Sequence, residues 1–459
     1  LPTGEILQVI QRPTSERRDP ADARVSESGT VAIETHGCKL NQADSAVLAQ
    51  EFARAGYRLV DQRRDANIIV VNTCTVTATA DSKARQALRA AHRANPDAVV
   101  VAAGCYPERA AEDLRRIPEV SLVVGNRSKP ELVALATTES ARQRGLSADA
   151  ADLGEDDVPT GILRRSRAMI KIQEGCDQVC AYCIVPKVRG RERSIPSDQI
   201  IEAIRKYVTG GFKEITLTGT QLGTYGFDLE DMDLPGLLDR ILGETDLPRL
   251  RVSSLQAHEI GPELLSRWES PRLCPHFHVP LQSGSDGVLK AMRRRYDTGT
   301  FRRAVTSIRE RVPGAGITTD VIAGFPGETE RDHAAGLDLV HELQFADAHV
   351  FPYSRRPGTS AHHMTDQLPP QDIRRRAGEM TAAAAIGFVE FRSRMKGEVR
   401  PVLWETAKPG GDGTMIWSGL TDNYLRVSAP GGPALGNSIT PARLGELSGK
   451  ALQADALEG

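Results

Sequence analysis

The sequence predicts an α/β protein built from two successive α/β units and a small all-β module at the C-terminal end. Three observations carry this. Short apolar runs alternate with helix-like stretches over residues 31–116, the pattern of βαβ units on a parallel sheet. A second alternating series runs from 168 to 355. From 397 to 455 the strand-like pieces are short and broken by Gly and Pro.

Taken in order, residues 1–30 are polar, rich in Arg, Asp, Ser and Pro, and read as a loose tail. Strands are expected at 31–35 (VAIET), 67–72 (NIIVVN) and 98–103 (AVVVAA), with helices over 43–57, 80–94 and 107–116 between and after them. Residues 141–160 are small, polar and acidic, the composition of a linker. In the second series, strands are expected near 168–173, 214–218, 250–253, 276–279, 317–322 and 347–351, and an Arg- and Ala-rich helix over 371–396. The expected domains are therefore the tail 1–30, an N-terminal open parallel α/β domain 31–140, the linker 141–160, a central domain 161–396 and a β-module 397–459.

Composition excludes several classes. At 459 residues the chain is too long for one ordinary domain, and 40% apolar residues suffice for real cores. Seven cysteines are too few for a disulfide-stapled secreted scaffold. Residues 1–30 lack the apolar stretch of a signal peptide. No apolar run reaches the roughly 18–20 residues of a membrane span. A reduced, cytoplasmic setting without membrane association is expected. With 58 basic against 60 acidic residues the net charge is −2, so any nucleic-acid binding needs a local positive field.

Three cysteines share one loop: Cys176, Cys180 and Cys183 in KIQEGCDQVCAYCIVPK, spaced C-x3-C-x2-C. Three thiolates are one too few for a closed tetrahedral zinc site. A 4Fe–4S cubane offers four irons to thiolates, so three cysteines leave one iron open. Zinc with a distant fourth ligand, or three unrelated buried thiols, are the alternatives. Cys38, Cys74 and Cys105 each follow one of the first three expected strands and precede a helix. Ligands gather outside the carboxyl ends of parallel strands, so these three could converge on a second cluster, and helix amino ends favour thiolates. Inert core cysteines are the alternative. Cys274 has no such company and reads as a packed thiol.

The chain resembles the methylthiotransferases of the radical S-adenosylmethionine (SAM) superfamily. The motifs occur in the family's order over residues 31–455. They are THGCKLNQADS, VNTCTVTATADSKARQ and AAGCYPE, then KIQEGCDQVCAYCIVPKVRGRERS, LTGTQLGTYG, HVPLQSGSD, MRRRY, TTDVIAGFPGET and VFPYSRRPGTSA. GLTDNYLRV resembles part of a TRAM domain, a small RNA-binding β-barrel. The resemblance implies a partial (β/α) radical SAM barrel around the first cluster and a second 4Fe–4S cluster on Cys38, Cys74 and Cys105. It also implies SAM chelated by the open iron and an electron donor such as a flavodoxin or ferredoxin. NTCTVT followed by ADSKARQ resembles the branch acting on N6-threonylcarbamoyladenosine beside the tRNA anticodon. The branch that modifies a ribosomal-protein aspartate usually has an acid where Asn72 stands, and the isopentenyladenosine branch has a basic residue soon after the cysteine. Gln221 departs from the first branch, which commonly has His there. A non-catalytic iron–sulfur RNA-binding scaffold is the reading from another class, and the open-iron triad argues against it.

The implied target is an aromatic C–H bond at carbon 2 of an adenine, on which acid–base chemistry has little purchase. A 5′-deoxyadenosyl radical from SAM can begin that reaction, and a second SAM supplies the methyl group. Thr218, Gly219, Ser253, Ser254, Gln282 and Asp320 are expected SAM contacts, since barrel-type sheets place function at strand carboxyl ends, and Tyr182, between two cluster ligands, is expected to face the adenine of SAM or to pack beneath the loop. Each is also an ordinary turn or packing residue.

For RNA, residues 164–193 carry eight Lys or Arg against three acids. Arg189, Arg191, Arg193, the run Arg293, Arg294 and Arg295, and Arg426 in the nearly neutral β-module are the expected contacts to a tRNA anticodon stem-loop. A solvated charged face is the alternative. The target base must be splayed out of its loop to reach a buried cluster.

Overall fold

The computed structural model describes residues 29–144, 166–411 and 413–457. The expected tail and most of the expected linker lie outside the described residues. The chain divides into two compact units, one holding the described residues up to 144 together with Lys187–Gly190, the other holding the rest.

The first unit alternates strand and helix: β1 (Thr30–Thr35), α1 (Lys39–Arg54), β2 (Arg58–Leu59), β3 (Ile68–Thr73), α2 (Ala78–Ala94), β4 (Val99–Gly104), α3 (Cys105–Arg115), β5 (Leu122–Gly125) and α4 (Leu132–Gln143). The strands form one parallel sheet in the order β2-β1-β3-β4-β5. Leu48, Phe52, Leu132 and Ala136 of α1 and α4 cover one face. Ala84, Leu88, Ala91 and Leu114 of α2 and α3 cover the other. β3 and β4, buried on both faces, therefore read as unbroken apolar runs rather than alternating ones. Sequence analysis expected three strands. The two it missed are the edges, where β2 spans two residues and β5 four. Strand order reverses between β1 and β3, and such a switch point is where doubly wound sheets place ligands.

The second unit begins with β6 (Arg167–Lys171) and β7 (Gln173–Glu174). α5 (Val185–Arg189), whose residues from Lys187 onward belong to the first unit, precedes β8 (Arg193–Ser194), which pairs with β7. Then follow α6 (Ser197–Thr209), β9 (Glu214–Thr218), α7 (Leu234–Glu244), β10 (Arg249–Val252), α8 (Pro262–Ser266), β11 (His276–His278), α9 (Asp286–Ala291), α10 (Thr298–Arg311), β12 (Gly316–Ala323), α11 (Glu330–Leu343), β13 (Asp347–Pro352) and the long α12 (Pro370–Met395). β6, β9 and β10 form one parallel sheet, and β11, β12 and β13 another. Parallel bridges Leu250–Leu273 and Ser254–His278 join them. Six parallel strands thus neighbour one another in chain order, a partial (β/α) barrel.

The chain ends in a closed five-stranded barrel of β14 (Val399–Pro409), β15 (Met415–Thr421), β16 (Arg426–Pro430), β17 (Ile439–Ser448) and β18 (Ala451–Ala456), in the order β14-β15-β16-β18-β17. Val402, Trp404, Trp417, Val427, Leu444 and Leu452 fill it. This barrel docks on the amino ends of the parallel strands. Arg249 of β10 donates to the carbonyls of Leu420 and Thr421, and Arg251 to that of Asp422. His276 of β11 stacks on Tyr424, with ring centroids 4.1 Å apart. Glu214 of β9 neutralises the two arginines, at 2.8 Å from Arg249 and 2.9 Å from Arg251. The carboxyl ends of the strands stay clear of this interface.

Candidate functional site

In the first unit Cys38, Cys74 and Cys105 come together at the carboxyl ends of β1, β3 and β4. Cys38 caps the amino end of α1 and is exposed, whereas Cys74 and Cys105 are buried. The loops meet closely. Gly37 has φ +111°, and a side chain there would place its first carbon 2.6 Å from the Cys74 Cβ, so only glycine fits. The Cys74 Sγ accepts from the Val76 N–H at 3.5 Å, and the Cys105 Sγ from the Asn126 amide at 3.4 Å. Burial, followed by the neighbouring Cys38 and Cys105 charges, pushes the Cys74 thiol up to about 12. Burial also raises Cys105, against the opposing pull of Arg189. Burial disfavours the thiolate form of Cys74 and Cys105, and a bound cation would offset that.

In the second unit Cys176, Cys180 and Cys183 lie in the loop after β7. The Cys176 Sγ accepts from the Gln178 N–H at 3.4 Å, and Cys183 from the Val185 N–H. Burial and the neighbouring thiols push Cys176 to about 11 and Cys183 to about 12. Arg294 donates to the Cys180 Sγ at 3.4 Å, to the Tyr182 hydroxyl at 3.5 Å and to Gln256 at 2.8 Å. Its guanidinium also lies over the Tyr296 ring, 4.8 Å from the centroid.

The donor sets fit a cubane. Each group offers three thiols, while the seventh cysteine, Cys274, is buried beside Glu214 at the amino ends of the strands. Among the described residues, no three His, Cys, Asp or Glu side chains stand close enough to hold a single metal ion. Sulfurs on one tetrahedral zinc are about 3.8 Å apart, whereas cubane ligands each bind a different iron and spread wider.

The expected SAM contacts fall at or near the same strand ends. Thr218 closes β9. A side chain at Gly219 would come within 3.0 Å of the Gln173 carbonyl. The Gln173 side chain accepts from the N–H groups of Thr220 and Gln221, which fixes that turn. Ser253 and Ser254 follow β10, and Gln282 holds φ +65° while donating its N–H to the Asp320 carbonyl. Asp320 differs from expectation: it stands within β12, three residues before its end, between His278 at 3.2 Å and His349 at 3.3 Å. Burial opposes its charge, yet the two imidazoles hold its carboxyl well below the usual range. Tyr182 is half-buried beside Arg294.

Two of the expected RNA contacts are not on the surface. Arg189 has a 3% exposed side chain that pairs with Asp44 and donates to Asn41 at 2.5 Å. Arg294 points into the cluster loop as described. A charge run read along the chain does not say which members turn inward. Arg191 and Arg193 are 90% and 70% exposed; Arg191 pairs with Asp177 of the cluster loop and Arg193 with Glu174 of β7. Arg293 and Arg295 are exposed, and Arg426 lies near Glu405.

Sequence reasoning missed a polar chain at the strand ends. Gln256 donates to Gln221 at 2.5 Å, and Gln221 to Glu259. Burial pushes the Glu259 carboxyl up to about 7, against the Gln256 N–H and Arg294. The signal available was position: RVSSLQ follows a strand as LTGTQ does.

Residues 170–340 match the Radical SAM superfamily, and residues 30–125 match Uncharacterized protein family UPF0004. The fold is that of the radical SAM methyltransferase TsrM from Kitasatospora setae, with a TM-score of 0.52 at 17% identity over 83% of this chain and 79% of that one. The threonylcarbamoyladenosine tRNA methylthiotransferase MtaB of Bacillus subtilis is 36% identical over 87% of this chain and 90% of its own length. Its Thermotoga maritima counterpart is 33% identical over 86% and 90%. The tRNA-2-methylthio-N(6)-dimethylallyladenosine synthase of Moorella thermoacetica is 34% identical over 94% and 99%. The protein is thus a radical SAM enzyme, a transferase that works with SAM and two 4Fe–4S clusters. Within that class the chain belongs to the tRNA methylthiotransferase family. None of its described helices is long and apolar enough to cross a membrane.

Proposed function

We propose that this enzyme methylthiolates carbon 2 of N6-threonylcarbamoyladenosine next to the anticodon of tRNA. The observation that carries the reading is the pair of three-thiol groups, one at the carboxyl ends of β1, β3 and β4 and one in the loop after β7, in a chain similar over most of its length to enzymes named for that reaction. Cys176, Cys180 and Cys183 would hold the cluster that meets SAM, and Cys38, Cys74 and Cys105 the second. When bound, the clusters would supply the electron and the sulfur, and SAM the radical and the methyl group.

The chain's own residues do the rest. Backbone N–H groups of Val76, Gln178 and Val185 stabilise thiolate charge. Thr218, Gly219, Ser253, Ser254 and Gln282 ring the strand ends where SAM would lie. The Gln173 side chain keeps the turn after β9 open to a ligand's polar end. Arg191, Arg193, Arg293 and Arg295 would take phosphates, with Arg426 on the terminal barrel, and a flavodoxin or ferredoxin would deliver electrons.

Mass spectrometry of tRNA nucleosides from cells with and without the gene tests this. Loss of methylthio-threonylcarbamoyladenosine supports the reading. The Moorella relative favours isopentenyladenosine as the second reading, and loss of its methylthio derivative instead would select that one.

A further inference from the structure

The chain that carries Cys176, Cys180 and Cys183 continues into residues 187–190, which pack with the first unit. Two anchors tie them to the other thiol group. The Asn126 amide donates both to the Cys105 Sγ at 3.4 Å and to the Val188 carbonyl at 2.7 Å. Arg189 reaches Asn41 and Asp44 on α1, the helix that Cys38 caps. Asp44 also takes Lys129 at 2.7 Å. Arg189, Lys129 and Asp44 are all largely buried. Together these three side chains carry a net charge of +1.

A cluster held by three thiolates carries net negative charge, and gains more on reduction. A buried cation nearby offsets it where water cannot. We propose that Arg189 is a positioning residue for the second cluster: with Asp44 and Lys129 it supplies the buried positive charge that sets the cluster's reduction potential, from a segment six residues beyond the cysteine loop of the first. The inference rests on the cysteine assignment proposed above.

The test uses the full chain carrying Cys176→Ala, Cys180→Ala and Cys183→Ala, so that only the second cluster is present. Iron per chain is measured after anaerobic reconstitution, and the midpoint by redox titration followed by electron paramagnetic resonance. Arg189→Met should make one-electron reduction about tenfold less favourable, a shift of about 59 mV to more negative potential. Asp44→Asn should shift it in the opposite direction. A purely structural pair would lower iron content in both variants without opposite shifts. Unchanged potentials at full iron content, or shifts of the same sign, overturn the inference and leave the cysteine assignment standing. If Arg189→Met takes up no iron, Asp44→Asn decides: a positive shift supports the inference and any other result overturns it. A parent variant that holds no iron refutes the assignment, and the inference with it.

Discussion

Replacing Glu214 by Ala should loosen the terminal barrel from the parallel strands, because Glu214 neutralises two arginines in a buried site. Its side chain is 0% exposed, and those of Arg249 and Arg251 are 5% and 1% exposed. Two routes give the size. Removing one partner of a buried pair costs about 3–5 kcal/mol, since the remaining charge is left uncompensated. Independently, although burial opposes its charge, Arg251 and Arg249 hold the Glu214 carboxyl down to about 2 from its ordinary 4.5. At neutral pH that depression favours the folded chain by about 3 kcal/mol. The sign follows: the contribution is complete above pH 4.5 and fades as pH falls toward 2. Both arginines donate to carbonyls of Leu420, Thr421 and Asp422, so the loss should concentrate there. Hydrogen exchange at Thr421–Leu425 should accelerate by two to three orders of magnitude in Glu214→Ala, about 3–4 kcal/mol of local opening. Unchanged exchange would refute the claim that this charge cluster secures the interface.

Three further outcomes are expected. Arg294→Met should retain about eight irons per chain but slow SAM cleavage, because the Cys180 thiolate loses its guanidinium donor, and full cleavage rates would remove Arg294 from the site. Arg191→Ala with Arg193→Ala should weaken tRNA binding and lower the salt slope by about two, with RNA-free SAM cleavage intact, as filter binding across salt concentrations can show; an unchanged slope would make them a solvated face. Ala at Cys38, Cys74 and Cys105 should leave 5′-deoxyadenosine formation but abolish methylthiolated product, and product at the normal rate would demote those cysteines to structure.

Much of this was legible in the sequence because burial on both faces writes strands such as β3 and β4 as unbroken apolar runs. The six strands of the partial barrel were legible as short strand-like pieces alternating with helical stretches, although β6 and β13 are not buried on both faces. β2 and β5 were not, since short edge strands carry little pattern. The cysteines announced themselves by spacing and by position after strands. Arg189 and Arg294 did not, because a guanidinium in a basic run looks alike whether it meets solvent, Asp44 or a cysteine sulfur. Asp320 in TTDV reads as a strand-end residue, yet β12 continues to Ala323. Gln256 and Glu259 were invisible for lack of periodicity: their role arises only when the turns after β9 and β10 meet.

Competition between two RNA substrates discriminates the threonylcarbamoyl from the isopentenyl reading. In one anaerobic reaction, the reconstituted enzyme with SAM and a reductant would receive equal amounts of two anticodon stem-loops, one carrying N6-threonylcarbamoyladenosine and one isopentenyladenosine. Liquid chromatography–mass spectrometry of the digested RNA reads both products. Methylthiolation of the threonylcarbamoyl RNA alone, together with 5′-deoxyadenosine, is the predicted result. Methylthiolation of the isopentenyl RNA alone would contradict it.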